Sequence, residues 1–364
     1  MLYNDKRRVE ASEAFEKKLK KTLRVDPRYS VLDFRLSTKF LHILTDSVEN
    51  AKIISRVYAK VFPDAKNSDR SDSLPDKAIK IKIVLLPDKS VGNLEKGICH
   101  VGVASVRSSS ASSSEQVTQV LYGESFDALQ VVGDWVRVRL HTDGYIGWAS
   151  SDQVTLLTNG KFAEYQLHDK ALVLNKTLPL FEKPSERSSV LREAVFGSHL
   201  AIRKHHEDYL EVKMPDGESA YAKKSGVSLV APFKNSSIGN LIATARTFQG
   251  ISYVWGGRSV KGFDCSGFVQ TVFRSIGVDL PRDTDLQFSA GKFVGKHFQR
   301  MRPGDLLFFS PNGYKISHVA IYLGRNKEFI HSSGFVRTNS LDPRRKNFSK
   351  KRFSRFVGAC SVIH

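Results

Sequence analysis

Residues 98–158 and 168–231 carry one pattern twice, and that duplication constrains the fold more than any other feature. The first copy holds short β-type runs at His100–Val106, Gln116–Leu121, Phe126–Val132, Trp135–Leu140 and Tyr145–Ala149. Turn pairs Gly133-Asp134 and Asp143-Gly144 separate them. Many short strands at this spacing predict a small β-barrel. In the second copy, 185–197 parallels 112–123, and 208–213 parallels 134–139. Asp216-Gly217 then matches Asp143-Gly144, and Tyr221 matches Trp148. Two small barrels in tandem are therefore expected. The serine-rich Ser108–Ser114 reads as a mobile loop.

The flanks have other periods. Residues 4–23 and 48–62 have helical apolar spacing, and Tyr29–Phe34, Phe40–Leu44 and Ala78–Leu86 read as strands, the first two as a hairpin. The order αββαβ predicts a small α/β unit, with polar Asn67–Asp76 as an exposed loop. After the barrels, Pro232–Ser237 reads as a linker and Ser237 as the cap of a helix carrying Leu241, Ile242, Ala245 and Phe248. Domain bounds of 1–95, 96–160, 161–234 and 235–364 follow.

The last unit holds the chemistry. Phe263-Asp264-Cys265-Ser266-Gly267-Phe268 leads into a helical run, Val269, Val272, Phe273 and Ile276, ending near Gly277. Cys265 then lies on a first helical turn, where unpaired N–H groups and the helix dipole favour thiolate. Strand-like runs follow at Leu306–Phe309, Val319–Leu323, Glu328–His331 and Arg355–Ile363. If a turn at Gly324-Arg325 closes a hairpin, His318 and His331 stand directly opposite, with Cβ atoms about 4.5–5.5 Å apart. A cysteine with histidines placed later in the chain is a candidate nucleophile–base pair, and a second group beside the base fixes its tautomer. The bland alternative for Cys265 is an inert buried thiol.

Composition bounds the rest. The chain has 364 residues, 41% hydrophobic and 26% charged, and no apolar run long enough to span a bilayer. Three cysteines, Cys99, Cys265 and Cys360, lack metal-ligand spacing and argue against a disulfide framework, so no metal or cofactor is expected. The net charge of +19 suggests an anionic neighbour such as an envelope polymer. Its densest part is Arg344, Arg345, Lys346, Lys350, Lys351, Arg352 and Arg355, which reads equally well as a solvated loop. No nucleic-acid signature accompanies it, so no nucleic acid is expected as a partner. The first residues lack a signal core, so the expectation is an envelope or periplasmic protein whose signal is absent here, with the cytoplasm as alternative.

Residues 237–364 resemble the NlpC/P60 family of papain-like cell-wall cysteine peptidases. The matching residues are 253–257 (YVWGG), 263–268 (FDCSGF), 280–283 (LPRD), 302–306 (RPGDL), 317–322 (SHVAIY) and 329–331 (FIH). The resemblance implies Cys265 as nucleophile, His318 as base and His331 as its orienting partner. Tyr253 would help hold the oxyanion, and Asp264, Ser266, Arg282, Asp283 and Thr284 would line the substrate groove. Several members have serine where Thr284 stands. The barrels resemble bacterial SH3-like domains. The implied fold is thus α+β: a papain-like catalytic domain preceded by two SH3-like barrels and an N-terminal α/β domain.

From about residue 98 onward the chain is similar to the branch of γ-D-glutamyl-L-diamino acid endopeptidases. Those enzymes cut murein peptides bearing a free N-terminal L-alanine, and a Glu and a Tyr of the first barrel recognise its amine. By position these are Glu115 and Tyr145. A monomer acting on murein peptides is expected. The competing expectation is a wall-binding module whose peptidase fold is inactive or transfers acyl groups.

Overall fold

The computed structural model describes residues 2–37, 40–63, 79–229 and 237–363. The expected loop at 67–76 and nearly all of the 232–237 linker lie outside them. Among the described residues no helix is long and apolar enough to cross a membrane.

The first unit has the expected order. Helix α1 (Leu2–Leu23) precedes β1 (Leu32–Leu36) and β2 (Leu41–Thr45), then α2 (Val48–Val61) and β3 (Ile81–Leu85). The β1–β2 pair is antiparallel and β2–β3 parallel. Phe15 and Leu19 of α1 are buried against Leu41, Ile43 and Ile54, so this helix is a core element. Tyr29, expected in the first strand, sits in the turn before it.

The duplication is visible in the topology. The first sheet comprises β4 (Lys96–Cys99), β5 (Val103–Arg107), β6 (Gln116–Leu121), β7 (Ser125–Val132), β8 (Trp135–Leu140), β9 (Ile146–Ser150) and β10 (Val154–Leu157). After α3 (Asn159–Gln166), the second comprises β11 (Lys170–Val173), β12 (Thr177–Phe181), β13 (Val190–Val195), β14 (His199–His205), β15 (Tyr209–Lys213), β16 (Ser219–Lys223) and β17 (Val227–Ser228). Their strand orders are the same: β10-β4-β7-β8-β9-β5-β6 and β17-β11-β14-β15-β16-β12-β13. The register repeats too, because Trp148 faces Arg137 as Tyr221 faces Glu211. Val154 and Val120, from the two ends of the first order, share one core with Phe126 and Val138, so the sheet is curled. The serine-rich loop is tied to itself: the Ser114 hydroxyl donates to the carbonyls of Ser109 and Ala111.

The last unit begins with α4 (Ile238–Thr247), capped by the Ser237 hydroxyl, which accepts from Asn240 N. A short hairpin, β18 (Arg258–Ser259) and β19 (Gly262–Phe263), leads into α5 (Cys265–Arg274) and α6 (Thr284–Ala290). The sheet runs β20-β25-β21-β22-β23-β24, from β20 (Lys292–Gly295), β21 (Leu306–Phe309), β22 (His318–Tyr322), β23 (Glu328–Ser333), β24 (Phe335–Ser340) and β25 (Phe356–Ser361). A last short helix, α7 (Lys350–Phe353), precedes β25. Residues 265–273 of α5 are all buried, its Phe268, Val269 and Val272 packing on Val319, Ile321 and Ile330 of the sheet. Each such large apolar side chain contributes roughly 1.5–3 kcal/mol. That packing fixes Cys265 beside β22.

The first sheet is clamped to this unit. Arg258 and Glu124 form an ion pair with side chains 3% exposed on each side. Burial alone would raise the Glu124 carboxyl, but Arg258 and Arg274 outweigh it and hold it at about 2. At Gly256, φ is +69° and a Cβ would lie 2.4 Å from the Gln116 carbonyl, so the turn after Trp255 admits only glycine.

Candidate active site

Cys265 is the first residue of α5, and the Asp264 carboxylate caps the helix by accepting from Gly267 N at 2.6 Å. A Cβ on Gly267 would fall 2.2 Å from the Gly257 carbonyl, which is why a glycine follows Cys-Ser here. The sulfur lies 3.7 Å from Thr284 Oγ1 and faces the backbone N–H of Val319. Among the described residues no hydrogen bond joins it to the imidazole of His318, the residue before Val319.

The helix start does not lower the thiol pKa as the sequence predicts. Burial pushes it above its ordinary value, and the Asp264 carboxylate adds to that. Desolvation of a side chain 8% exposed outweighs a few first-turn N–H groups. His318 moves the other way: burial, then His331 and Arg352, hold it well below 6.5. Thiol and imidazole are therefore both neutral at rest.

The two histidines meet, but not in the predicted register. Ile321 pairs with Ile330 and Tyr322 with Phe329, two residues out of step with a turn centred on Gly324-Arg325. The connection is longer, with a 3-10 turn at Arg325–Lys327 and positive φ at Gly324, Asn326 and Lys327. A shift of two preserves the face, so the diagonal rings still touch, with His318 Nε2 2.7 Å from His331 Nδ1.

Asn339, missed in the sequence, fixes the protons. Its Nδ2 donates to the Asn347 carbonyl at 3.0 Å, which turns Oδ1 toward His331 Nε2, also at 3.0 Å. His331 must then carry its proton on Nε2 and accept at Nδ1. His318 donates from Nε2 and keeps a lone pair on Nδ1. The β23–β24 pairing of Phe329 with Asn339 sets Asn339 diagonal to His331. A hairpin around Gly334 was the only signal for it in the sequence.

The remaining predicted residues fall into two groups. Asp264, Ser266 and Arg282 form a buried network behind Cys265. Arg282 has no exposed surface; it donates from Nη1 and Nη2 to Asp264, from Nη1 to Ser266, and from Nε to Thr118 of β6. Contrary to expectation, Arg282 therefore does not line an open groove; it braces Asp264 and the first sheet. Tyr253, Asp283 and Thr284 lie nearer the thiol or the barrel. Burial and the nearby Cys265 and Asp264 raise the Tyr253 phenol. The Tyr145 hydroxyl donates to Asp283 Oδ2 at 3.2 Å. Glu115 is exposed and accepts from the Trp255 indole N–H at 2.6 Å. Both barrel residues thus touch segments that flank Cys265.

The N-terminal unit also reaches this region, which the sequence gave no reason to expect. Arg28 Nη1 donates to Asp283 Oδ2 at 3.0 Å and to Asp285 Oδ1 at 2.9 Å. Tyr29 packs edge-on to Tyr145, with centroids 5.7 Å apart. Asp26 and Arg28 share a cavity of about 1040 Å³ with Asp285, Phe288 and Ile316. The first unit is therefore part of the wall beside the Thr284 segment.

The chain is similar in sequence to known proteins. The γ-D-glutamyl-L-lysine dipeptidyl-peptidase of Bacillus cereus is 32% identical over 238 residues, covering 62% of this chain and 70% of that protein. A profile of the NlpC/P60 family matches residues 250–357. The chain belongs to the NlpC/P60 family. A bacterial dipeptidyl-peptidase SH3 domain matches residues 106–154, within the first curled sheet. The Bacillus subtilis protein of the same name as the first relative is 33% identical over 224 residues, 59% of this chain and 71% of its own. A crystal structure of an NlpC/P60 protein from Bacillus cereus superposes with a TM-score of 0.65 at 25% identity, over 74% of this chain and all of that one. Cysteine peptidase is the general class of the family.

The neutral histidines make stability depend on pH. In the unfolded chain a histidine takes a proton near pH 6.5, whereas burial holds folded His331 at about 3. Between those values the unfolded state binds more protons, so the stabilisation is complete above pH 6.5 and is lost as pH falls toward 3. Lowering pH from 7.5 to 5.5 should cost about 1 kcal/mol for each buried histidine. Glu124 and Asp127, both held at about 2, add their own loss only below their ordinary values of 4.5 and 3.8. Urea unfolding across pH 7.5–5 reads the slope, which should flatten in His331→Asn; an unchanged slope would assign it elsewhere.

Proposed function

We propose that this chain is a cysteine endopeptidase that hydrolyses the γ-D-glutamyl–diamino acid bond of murein peptides with a free N-terminal L-alanine. The observation that carries the chemistry is the Asn339–His331–His318 relay, which leaves a lone pair on Nδ1 of His318, the residue before the Val319 N–H that the Cys265 sulfur faces. As substrate binds, His318 takes the Cys265 proton and the thiolate attacks the γ-carbonyl carbon. The carbonyl oxygen gains charge, which the Cys265 backbone N–H and the Tyr253 hydroxyl stabilise. His318 returns its proton to the departing amine, leaving a thioester. Water, deprotonated by the same imidazole, attacks the thioester and restores the thiol. His331, held by Asn339, keeps the required tautomer throughout.

Substrate choice is assigned to the barrel side. Glu115 is a carboxylate suited to a primary ammonium, and Tyr145 with Asp283 supplies further acceptors. The names of the two Bacillus relatives support a γ-D-glutamyl substrate followed by a diamino acid. Mass spectrometry of L-Ala-γ-D-Glu-L-Lys and its meso-diaminopimelate counterpart after incubation with the full chain tests the reading. Release of L-Ala-D-Glu is expected from at least one. Cleavage elsewhere, or of neither, overturns it.

A further inference from the structure

The basic cluster near the C-terminus has no role in the mechanism above, yet it folds back on the catalytic histidines. Arg352 Nη2 donates to Ser333 Oγ at 3.0 Å, two residues beyond His331 on β23. Its guanidinium lies 5.7 Å from the centre of the Phe309 ring, which is itself 5.7 Å from the His318 ring. Arg337 stands opposite His331 in the β23–β24 register and is exposed. Among the described residues neither arginine has a carboxylate within ion-pair distance; within the cluster only Arg344 does, with Asp342. A half-buried guanidinium with one hydroxyl partner keeps most of its five donors free.

The two flanks of Cys265 thus differ in sign. The barrel flank carries Glu115 with Asp26, Asp283 and Asp285, three aspartates that share the single Arg28 and so leave it net negative; the histidine flank carries Arg352 and Arg337. The base must reach the leaving nitrogen, so the departing residue lies over the histidine flank. We propose that Arg352, with Arg337 beside it, binds a carboxylate of the departing diamino acid and so selects short peptides that end in a free acid. This rests on the peptidase reading above. A zwitterionic peptide would then be oriented from both ends, ammonium toward the barrel and carboxylate toward α7. Guanidinium suits this role because it binds a carboxylate through two parallel N–H bonds.

The test compares kcat/KM of the full chain on L-Ala-γ-D-Glu-L-Lys, on its C-terminal carboxamide, and on the peptide whose glutamyl α-carboxylate is amidated instead. The carboxamide should be on the order of 10- to 100-fold poorer, since charge-assisted bonds are lost. Arg352→Gln should narrow that gap, and Arg352→Lys should keep part of it. Equal turnover of acid and carboxamide by the wild type overturns the proposal. So does a penalty that Arg352→Gln relieves only at the glutamyl carboxylate. A second measurement needs no peptide: alkylation of Cys265 by anionic iodoacetate relative to neutral iodoacetamide. That ratio should fall several-fold in Arg352→Gln at low salt. An unchanged ratio counts against the corner even if no peptide is cleaved, whereas a changed ratio with no cleavage sinks the peptidase reading and leaves the anion site standing.

Discussion

Cys265→Ala is expected to abolish peptide cleavage, a loss of at least ~10⁴-fold, because no other group in the proposed mechanism can form the thioester. The fold should survive, since the residue is small and α5 keeps its Asp264 cap. His318→Ala should lose nearly as much. The thiol is pushed up by burial rather than down, so without an acceptor for its proton there is little thiolate at neutral pH. His331→Ala should cost less, ~10²–10⁴-fold, the scale of a partner that orients a base. Asn339→Ala should cost less again, because it frees one imidazole whose ring still touches His318. The quantity to measure is kcat, with circular dichroism confirming the fold. An Asn339 variant slower than the His331 variant would break the proposed relay order.

The sequence made the architecture legible where a short period met a repeated unit. The duplicated turns and the Trp148–Tyr221 match survive as equal strand orders and equal registers. The helix start that carries Cys265 was legible because Asp264, Cys265 and Gly267 each meet a local requirement of such a start. What escaped was set by tertiary contact. The five-residue connection after Tyr322 could not be told from a two-residue turn, since Gly324 satisfies either. Helix α6 was hidden because Thr284–Ala290 is short and its apolar face is small. The thiol and imidazole shifts depend on total burial, which no local pattern encodes. Asn339, Arg28 and Arg352 reach the site from segments outside the motif, so nothing in the motif announces them.

N-acetylation of the substrate's alanine should slow wild-type cleavage strongly, on the order of 10²-fold or more. The argument begins with geometry. Glu115 holds the Trp255 indole, and Trp255 lies two residues from Tyr253, while Tyr145 holds Asp283, the neighbour of Thr284. The barrel is thus joined to both segments beside the thiol, and the buried Arg258–Glu124 pair prevents it from swinging away. A peptide whose γ-carbonyl reaches Cys265 carries its N-terminus two residues back. Toward the barrel, that terminus meets carboxylates. An ammonium there gains charge-assisted bonds to Glu115; an acetamide gains none and covers a carboxylate whose remaining partner is the Trp255 indole N–H. Sites built to hydrogen-bond a group reject analogues lacking it far more strongly than apolar pockets reject a missing methylene. The same logic predicts little action on whole sacculi, whose peptides remain amide-linked to glycan. Glu115→Ala should reduce turnover of the free peptide and narrow its advantage over the acetylated one. Arg28 already pairs with Asp283, so Glu115 is left as the carboxylate that answers the ammonium. Equal turnover of free and acetylated peptides by the wild type would remove the barrel from substrate choice and leave it as a rigid spacer.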